Sequence, residues 1–201
     1  MTAPVLVIAW GNRSRGDDAL GPLFLDGLRA RLPCGEDAPA PQVELLEDFQ
    51  LQVEHALDLQ GRREILFVDA SRSCAPPFER RDLAPMRDAS FTTHAITPES
   101  VLQVFRDVLR AEPPRASMLA IRGASFELGA PLGDGAAHNL ERALQWAQDW
   151  LRAMQTDERE GKSITGLRAL PEAVDGGQSG VRKKLDDRLS KVHTDQNKEN
   201  S

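Results

Sequence analysis

Short apolar runs alternate with amphipathic segments over the first three quarters of the chain. The apolar runs predict buried strands, and apolar residues that recur every three or four positions predict helices with one face in a core. The predicted strands cover residues 5–9, 43–46, 65–68 and 117–121, with a more polar edge strand at 78–83. The predicted helices cover residues 18–31, about 53–59, 98–109 and about 136–154. This alternation favours a single α/β domain, a three-layer α/β/α fold in which a mainly parallel twisted sheet lies between helices.

The composition changes near Gln155. All five lysines (Lys162, Lys183, Lys184, Lys191 and Lys198) lie beyond that residue, and no aromatic residue follows Trp150. A polar segment with few large apolar residues cannot bury enough surface to offset the entropy lost on ordering. We therefore predict an α/β domain of residues 1–154, followed by a polar and mostly disordered tail of residues 155–201.

Charge and cysteine content narrow the class of protein. The chain has 201 residues, a formal net charge of -6 and no tyrosine. It lacks a basic patch interleaved with aromatic residues, which argues against nucleic-acid binding, and no apolar run reaches the roughly 18 residues of a membrane span. Cys34 and Cys74, the two cysteines, do not have the spacing of a zinc site, and a reducing compartment is the simpler interpretation. We expect a soluble cytoplasmic protein without nucleic-acid or membrane partners.

The segment VLVIAWGNRSRGDDALG, residues 5–21, predicts a strand, a glycine-bounded loop and a helix. The spacing of Gly11 and Gly16 imitates the start of a phosphate-binding P-loop, but Asp17 and Asp18 stand where that motif continues with Lys and Ser/Thr. Two carboxylates at a helix start would repel a phosphate from the positive end of the helix. The segment therefore favours a cation over an anion.

Ligands of open α/β sheets collect at the carboxyl ends of the strands. Polar residues follow three predicted elements there: Asp17 and Asp18 after the first strand, Asp69 at the end of EILFVDAS, and His94 in the loop SFTTHAITPES. Two carboxylates and an imidazole suit a divalent ion of the nickel or zinc kind, and they could equally position a water molecule. Each residue also has a structural alternative, because an aspartate can cap a helix or a turn and a lone loop histidine is usually solvated.

Taken together, IAWGNRSRGDDALG, Asp69 in FVDAS and His94 in TTHAITPESVL resemble the pattern of the [NiFe]-hydrogenase maturation endopeptidases over roughly residues 4–154. The resemblance implies a soluble α/β/α peptidase that removes a C-terminal extension from the hydrogenase large-subunit precursor after nickel insertion. It also implies that Asp18, Asp69 and His94 occupy the three metal-ligand positions of the family. The chain departs from the family at Asp18, where Glu is common, and at Trp10, where Gly is common.

The resemblance implies that these three side chains recognise nickel carried by the precursor. Asp18 or Asp69 would then act as a base in a metal-assisted cleavage, or the two carboxylates would share a proton as in aspartic proteases; both mechanisms stay open. No GxSxG motif or paired cysteine nucleophile is present. Two other functions are alternatives: a non-proteolytic metal-sensing binding protein or chaperone, and a nucleotide-binding α/β enzyme. The absence of GxGxxG and of the P-loop lysine opposes the second.

Overall fold

A five-stranded sheet forms the centre of the computed structural model, which describes residues 2–33, 42–87 and 96–159. The strands are β1 (Val5–Trp10), β2 (Val43–Asp48), β3 (Glu64–Ser71), β4 (Phe78–Leu83) and β5 (Arg115–Arg122). Their order across the sheet is β2-β1-β3-β5-β4. All neighbouring pairs are parallel except β4 and β5, which are antiparallel. The predicted α/β fold with a mainly parallel sheet and a polar edge strand is confirmed.

Besides the strands, the described residues form four α-helices and one 3-10 turn. They are the 3-10 turn Gly16–Ala19, α1 (Leu20–Arg29), α2 (His55–Asp58), α3 (Pro98–Leu109) and α4 (Asp134–Arg159). The helix α3 begins and ends as the sequence predicts. Its start is set by Thr97, whose side chain accepts a hydrogen bond from the Ser100 backbone N–H at 3.2 Å, and by Pro98 in the first turn, where a proline costs no hydrogen bond.

Alternate residues of the central strands enter two separate cores. Val7 of β1 and Val68 of β3 lie fully buried in the core formed with α1 and α4. Their chain neighbours Ile8 and Phe67 lie in the core formed with α2 and α3 on the other side of the sheet. Fully burying a side chain of this size contributes about 1.5–3 kcal/mol, and a slip of one residue would exchange the two faces. The two cores therefore fix the strand register and, with it, the side chains at the strand ends.

The helices other than α3 differ from the predictions at their ends. The helix α2 covers only His55–Asp58 of the predicted 53–59. The predicted helix 18–31 begins with the 3-10 turn Gly16–Ala19, and α1 starts only at Leu20, because the backbone and side chain of Asp17 bond to another loop (below). The helix α4 continues to Arg159, five residues past its predicted end at 154. The domain boundary at 154 stays a prediction, and residues 160–201 of the predicted tail lie outside the described residues. Among the helices that the structure describes, none is long and apolar enough to cross a membrane.

Candidate functional site

The ends of β1 and β3 bring Asp18 and Asp69 to the same edge of the sheet. The two strands are parallel neighbours, with Ala9 opposite Val68. Asp69 is the next residue of β3, and the loop that follows β1 leads to Asp18. We call this edge, where the parallel strands end, the carboxyl edge. It is the edge at which open α/β sheets bind their ligands.

The position of Asp18 depends on the close approach of the backbone at Gly11. Gly11 has a φ of 140°, and a Cβ atom on it would lie 2.1 Å from the carbonyl oxygen of Asp18. Only glycine combines that conformation with that space. The N–H of Asn12 then donates a hydrogen bond to Oδ2 of Asp18 at 3.1 Å. This bond directs the half-buried carboxylate of Asp18 and leaves Oδ1 without a protein hydrogen bond within the described ranges.

Asp69 lies in a less polar environment than Asp18. Burial raises the pKa of Asp69 to about 7, and the negative charge of Asp18 adds to this rise. Two groups oppose it: the N–H of Ala70, which donates to Oδ1 of Asp69 at 2.7 Å, and the side chain of Trp10. The effect of Asp18 means that the two carboxylates lie within electrostatic reach of each other. A carboxyl group with a pKa near neutral pH can both accept and release a proton in the physiological range.

Asp17 has a different environment from its neighbour Asp18. Its side chain is 1% exposed, and its carboxylate accepts backbone hydrogen bonds from Ala124, Ser125 and Gly133 at 2.7–2.9 Å. Burial opposes its ionisation, but these three bonds outweigh burial and hold the pKa of Asp17 below its usual value. Asp17 therefore joins the β1–α1 loop to the β5–α4 loop, and it has no surface to offer a ligand.

The third predicted ligand, His94, lies outside the described residues. It is four residues from the start of α3, the helix that precedes β5. Within residues 2–33, 42–87 and 96–159, no group of three or more His, Cys, Asp or Glu side chains is arranged to hold a metal ion. The described part of the predicted ligand set therefore consists of Asp18 and Asp69.

Two residues at this edge were not identified as site residues from the sequence. The side chain of Trp10, at the end of β1, lowers the pKa of Asp69 and packs edge-on against Phe67 at 6.3 Å between ring centroids. Two signals in the sequence marked Trp10, its position directly after a predicted buried strand and its departure from the family pattern, but neither predicted an effect on Asp69. Arg13 bonds Glu47 of β2 at 2.7 Å and Asp26 of α1 at 2.6 Å, and these bonds raise its pKa. Arg13 thereby ties the loop that carries Asn12 to the two neighbouring elements.

Comparison with known proteins identifies solved structures that have a similar fold. No family model matches the chain, and no curated protein matches it. Among solved structures, it is similar to the hydrogenase maturating endopeptidase HybD from E. coli, with a TM-score of 0.57, 22% identity, and coverage of 75% of this chain and 93% of HybD. It is also similar to the [NiFe] hydrogenase maturation protease HycI from Thermococcus kodakarensis KOD1, with a TM-score of 0.55, 19% identity, and coverage of 75% of this chain and 93% of HycI.

A third similar structure is an endopeptidase from Escherichia coli, with a TM-score of 0.56, 20% identity, and coverage of 75% of this chain and 93% of that one. At these identities the likeness concerns the architecture, and it agrees with the resemblance seen in the sequence. The chain therefore has the fold of solved hydrogenase maturation endopeptidases.

Proposed function

We propose that this protein is an endopeptidase that removes the C-terminal extension of a [NiFe]-hydrogenase large-subunit precursor after nickel insertion. The observation that carries the proposal is the meeting of Asp18 and Asp69 at the carboxyl edge of a fold shared with hydrogenase maturation endopeptidases. Two carboxylates within electrostatic reach of each other form the acidic part of a metal-recognising and proton-transferring site.

In this proposal nickel is part of the substrate and is carried by the precursor. Asp18 contacts it through Oδ1, which accepts no hydrogen bond from the described residues, and Asp69 and His94 supply the other two contacts. Carboxylate oxygen and imidazole nitrogen are suitable donors for this ion. Because the ion is required for docking, cleavage follows only after insertion is complete.

Asp69 is the better candidate for the general base. Burial raises the pKa of Asp69 to about 7 before the precursor binds, and the contact with nickel then favours the ionised carboxylate, which can take a proton from an attacking water. The hydrogen bond from the Ala70 N–H orients the carboxylate of Asp69, and the side chain of Trp10 favours the ionised form. The alternative, in which the two carboxylates share a proton as in aspartic proteases, uses the same residues and predicts cleavage without nickel. The cytoplasm remains the predicted compartment, from the cysteine usage.

The loop after β1 does not support a nucleotide-binding function. A phosphate cradle needs backbone N–H groups that are free to point at the ligand. The N–H groups of residues 12 and 14–18 all donate to acceptors within the protein. The same loop presents Asp18 at its end, which repels an anion. The nucleotide alternative is therefore disfavoured.

The test is the processing of the purified precursor, nickel-loaded or nickel-free, followed by intact mass spectrometry. We expect loss of a C-terminal peptide from the loaded form only. Asp18→Asn, Asp69→Asn and His94→Ala should abolish that loss, whereas the matched surface variant Asp149→Asn, on the exposed side of α4, should process normally. Binding without any change of mass would favour the non-proteolytic metal sensor, and equal cleavage of both forms would remove nickel recognition from the proposal.

A further inference from the structure

Two arginines at the carboxyl edge converge on a single aromatic residue. The Nε–H of Arg15 donates a hydrogen bond to the Phe126 carbonyl oxygen at 2.9 Å. The guanidinium carbon of Arg72 lies 4.1 Å from the centre of the Phe126 ring. Both arginines are exposed, and within the described part of the chain neither forms an ion pair with an acidic residue. We call Arg15 and Arg72 the arginine pair.

Phe126 is a rigid support for this pair. A Cβ atom added at Gly123 would lie 2.9 Å from the Phe126 ring and 2.8 Å from the Cβ of Asp17. The ring is thus packed closely against the end of β5, beside the buried carboxylate that joins the two loops. Stacking on a fixed ring restricts the side chain of Arg72 before any ligand arrives, which lowers the entropy lost on binding.

The arginine pair borders the two site carboxylates in the chain. Arg15 precedes Asp18 by three residues, and its carbonyl oxygen accepts the Asp18 N–H at 3.1 Å. Arg72 follows Asp69 by three residues, just beyond the end of β3. Next to the carboxylates of Asp18 and Asp69, the carboxyl edge therefore also presents the positive charges of the arginine pair. The carboxylates suit a metal ion, whereas guanidinium groups with free N–H donors suit an anion.

We propose that the arginine pair binds a carboxylate of the polypeptide substrate beside the site of cleavage. This inference rests on the proposed function, which makes a polypeptide the substrate. The planar guanidinium group matches a carboxylate with two parallel N–H donors, and such charge-assisted bonds are about twice as strong as neutral ones. The carboxylate comes from an acidic side chain of the extension or from its C-terminus. In either case the pair offsets the repulsion that Asp18 and Asp69 exert on an acidic segment.

The experiment measures binding rather than cleavage. Fluorescein-labelled peptides span the cleavage site and the whole extension of the precursor. They are made in three forms: the native sequence, a form with each Asp replaced by Asn and each Glu by Gln, and a form with an amidated C-terminus. Fluorescence anisotropy gives the Kd of each peptide for the wild type, Arg15→Gln and Arg72→Gln. The matched control is Arg110→Asn, which removes one positive charge at the end of α3, where asparagine tolerates the left-handed backbone.

We expect Arg72→Gln and Arg15→Gln to weaken binding of the native peptide about tenfold each, as expected for a lost charge-assisted bond. One of the two altered peptides should bind the wild type and both variants equally, and this peptide identifies the source of the carboxylate. Arg72→Lys, which keeps the charge but loses the planar fork, should give an intermediate Kd. Arg110→Asn should match the wild type.

Equal Kd values of the wild type and both Gln variants for the native peptide would overturn the inference, as would a loss of the same size for all three peptides. Absence of measurable binding by the wild type would overturn it too. The outcome is separate from the peptidase proposal. Arginine-dependent binding of a peptide whose precursor is never cut would reject the peptidase and keep the carboxylate subsite.

Discussion

Replacing Asp17 by asparagine tests whether a buried carboxylate holds the two loops of the site together. Oδ2 of Asp17 accepts the N–H groups of Ala124 and Ser125, and Oδ1 accepts that of Gly133. Asparagine has nearly the same shape, but its NH2 group would face at least one of these donors. One charge-assisted bond, of about 1.5–3 kcal/mol, is then lost, and the remaining bonds become neutral and weaker.

Some of this loss is offset because the amide is easier to bury than the carboxylate. We expect Asp17→Asn to lower the free energy of unfolding by roughly 2–4 kcal/mol. For a domain of this size that corresponds to a fall in Tm of roughly 5–15 °C. Differential scanning calorimetry at pH 7 measures the fall. The exposed variant Asp149→Asn serves as the control and should melt with the wild type.

The pH dependence gives a second check on the same residue. The pKa of Asp17 is lower in the folded protein than in the unfolded chain, so its contribution is fully present above the unfolded pKa of about 4. The contribution is lost as the pH falls through the folded value. The difference in free energy of unfolding between wild type and Asp17→Asn, measured by urea titration, should thus be constant from pH 7 to 5 and shrink at lower pH. A melting temperature equal to that of the wild type, or a gap unchanged at pH 3, would refute the role given to Asp17.

Three further changes test other parts of the structure. Trp10→Phe keeps a ring but removes the indole N–H that favours the ionised form of Asp69, so the pKa of Asp69 should rise, whereas Asp18→Asn removes a negative charge and should lower it. Carbon-13 NMR titration of the carboxyl groups measures both pKa changes, and changes of the same sign would contradict this arrangement. Gly11→Ala places a Cβ 2.1 Å from the carbonyl of Asp18 and should destabilise the domain by more than about 3 kcal/mol, measured by urea unfolding; a normal urea midpoint would disprove the close approach. Truncation after Arg159 should leave the melting temperature and precursor processing unchanged, and a loss of processing would show that residues 160–201 take part.

The sequence was sufficient to predict the sheet because the relevant signals are local. The parallel strands β1 and β3 contain runs of apolar residues, and Thr97 followed by Pro98 marks the start of α3 without reference to the rest of the chain. The extra length of α4 was not predicted because residues 155–159 are all polar, which is equally typical of the beginning of a disordered tail.

The site was predictable only in part, because its decisive contacts join distant segments. Asp17 and Asp18 are equivalent candidates in the sequence. The residues that distinguish them, in the loop 124–133, come more than 100 positions later. The effect of Trp10 on the pKa of Asp69 likewise depends on the adjacency of β1 and β3, which the apolar pattern does not encode. Periodicity locates the strand ends, but it does not say which side chain faces which.

The hydrogen bonds between the first and last loops also bear on when the protein becomes competent during synthesis. Gly16 donates to the carbonyl oxygen of Ala130, and Gly129 donates to that of Ser14. A nascent chain emerges at about 5–20 residues per second, so these contacts cannot form until β5 and the loop after it have left the ribosome. Closing so long a segment is also slow compared with local helix formation. The geometry of the candidate site is thus completed among the last steps of folding, and a partly synthesised chain contains Asp18 and Asp69 without the loop contacts that position Asp18.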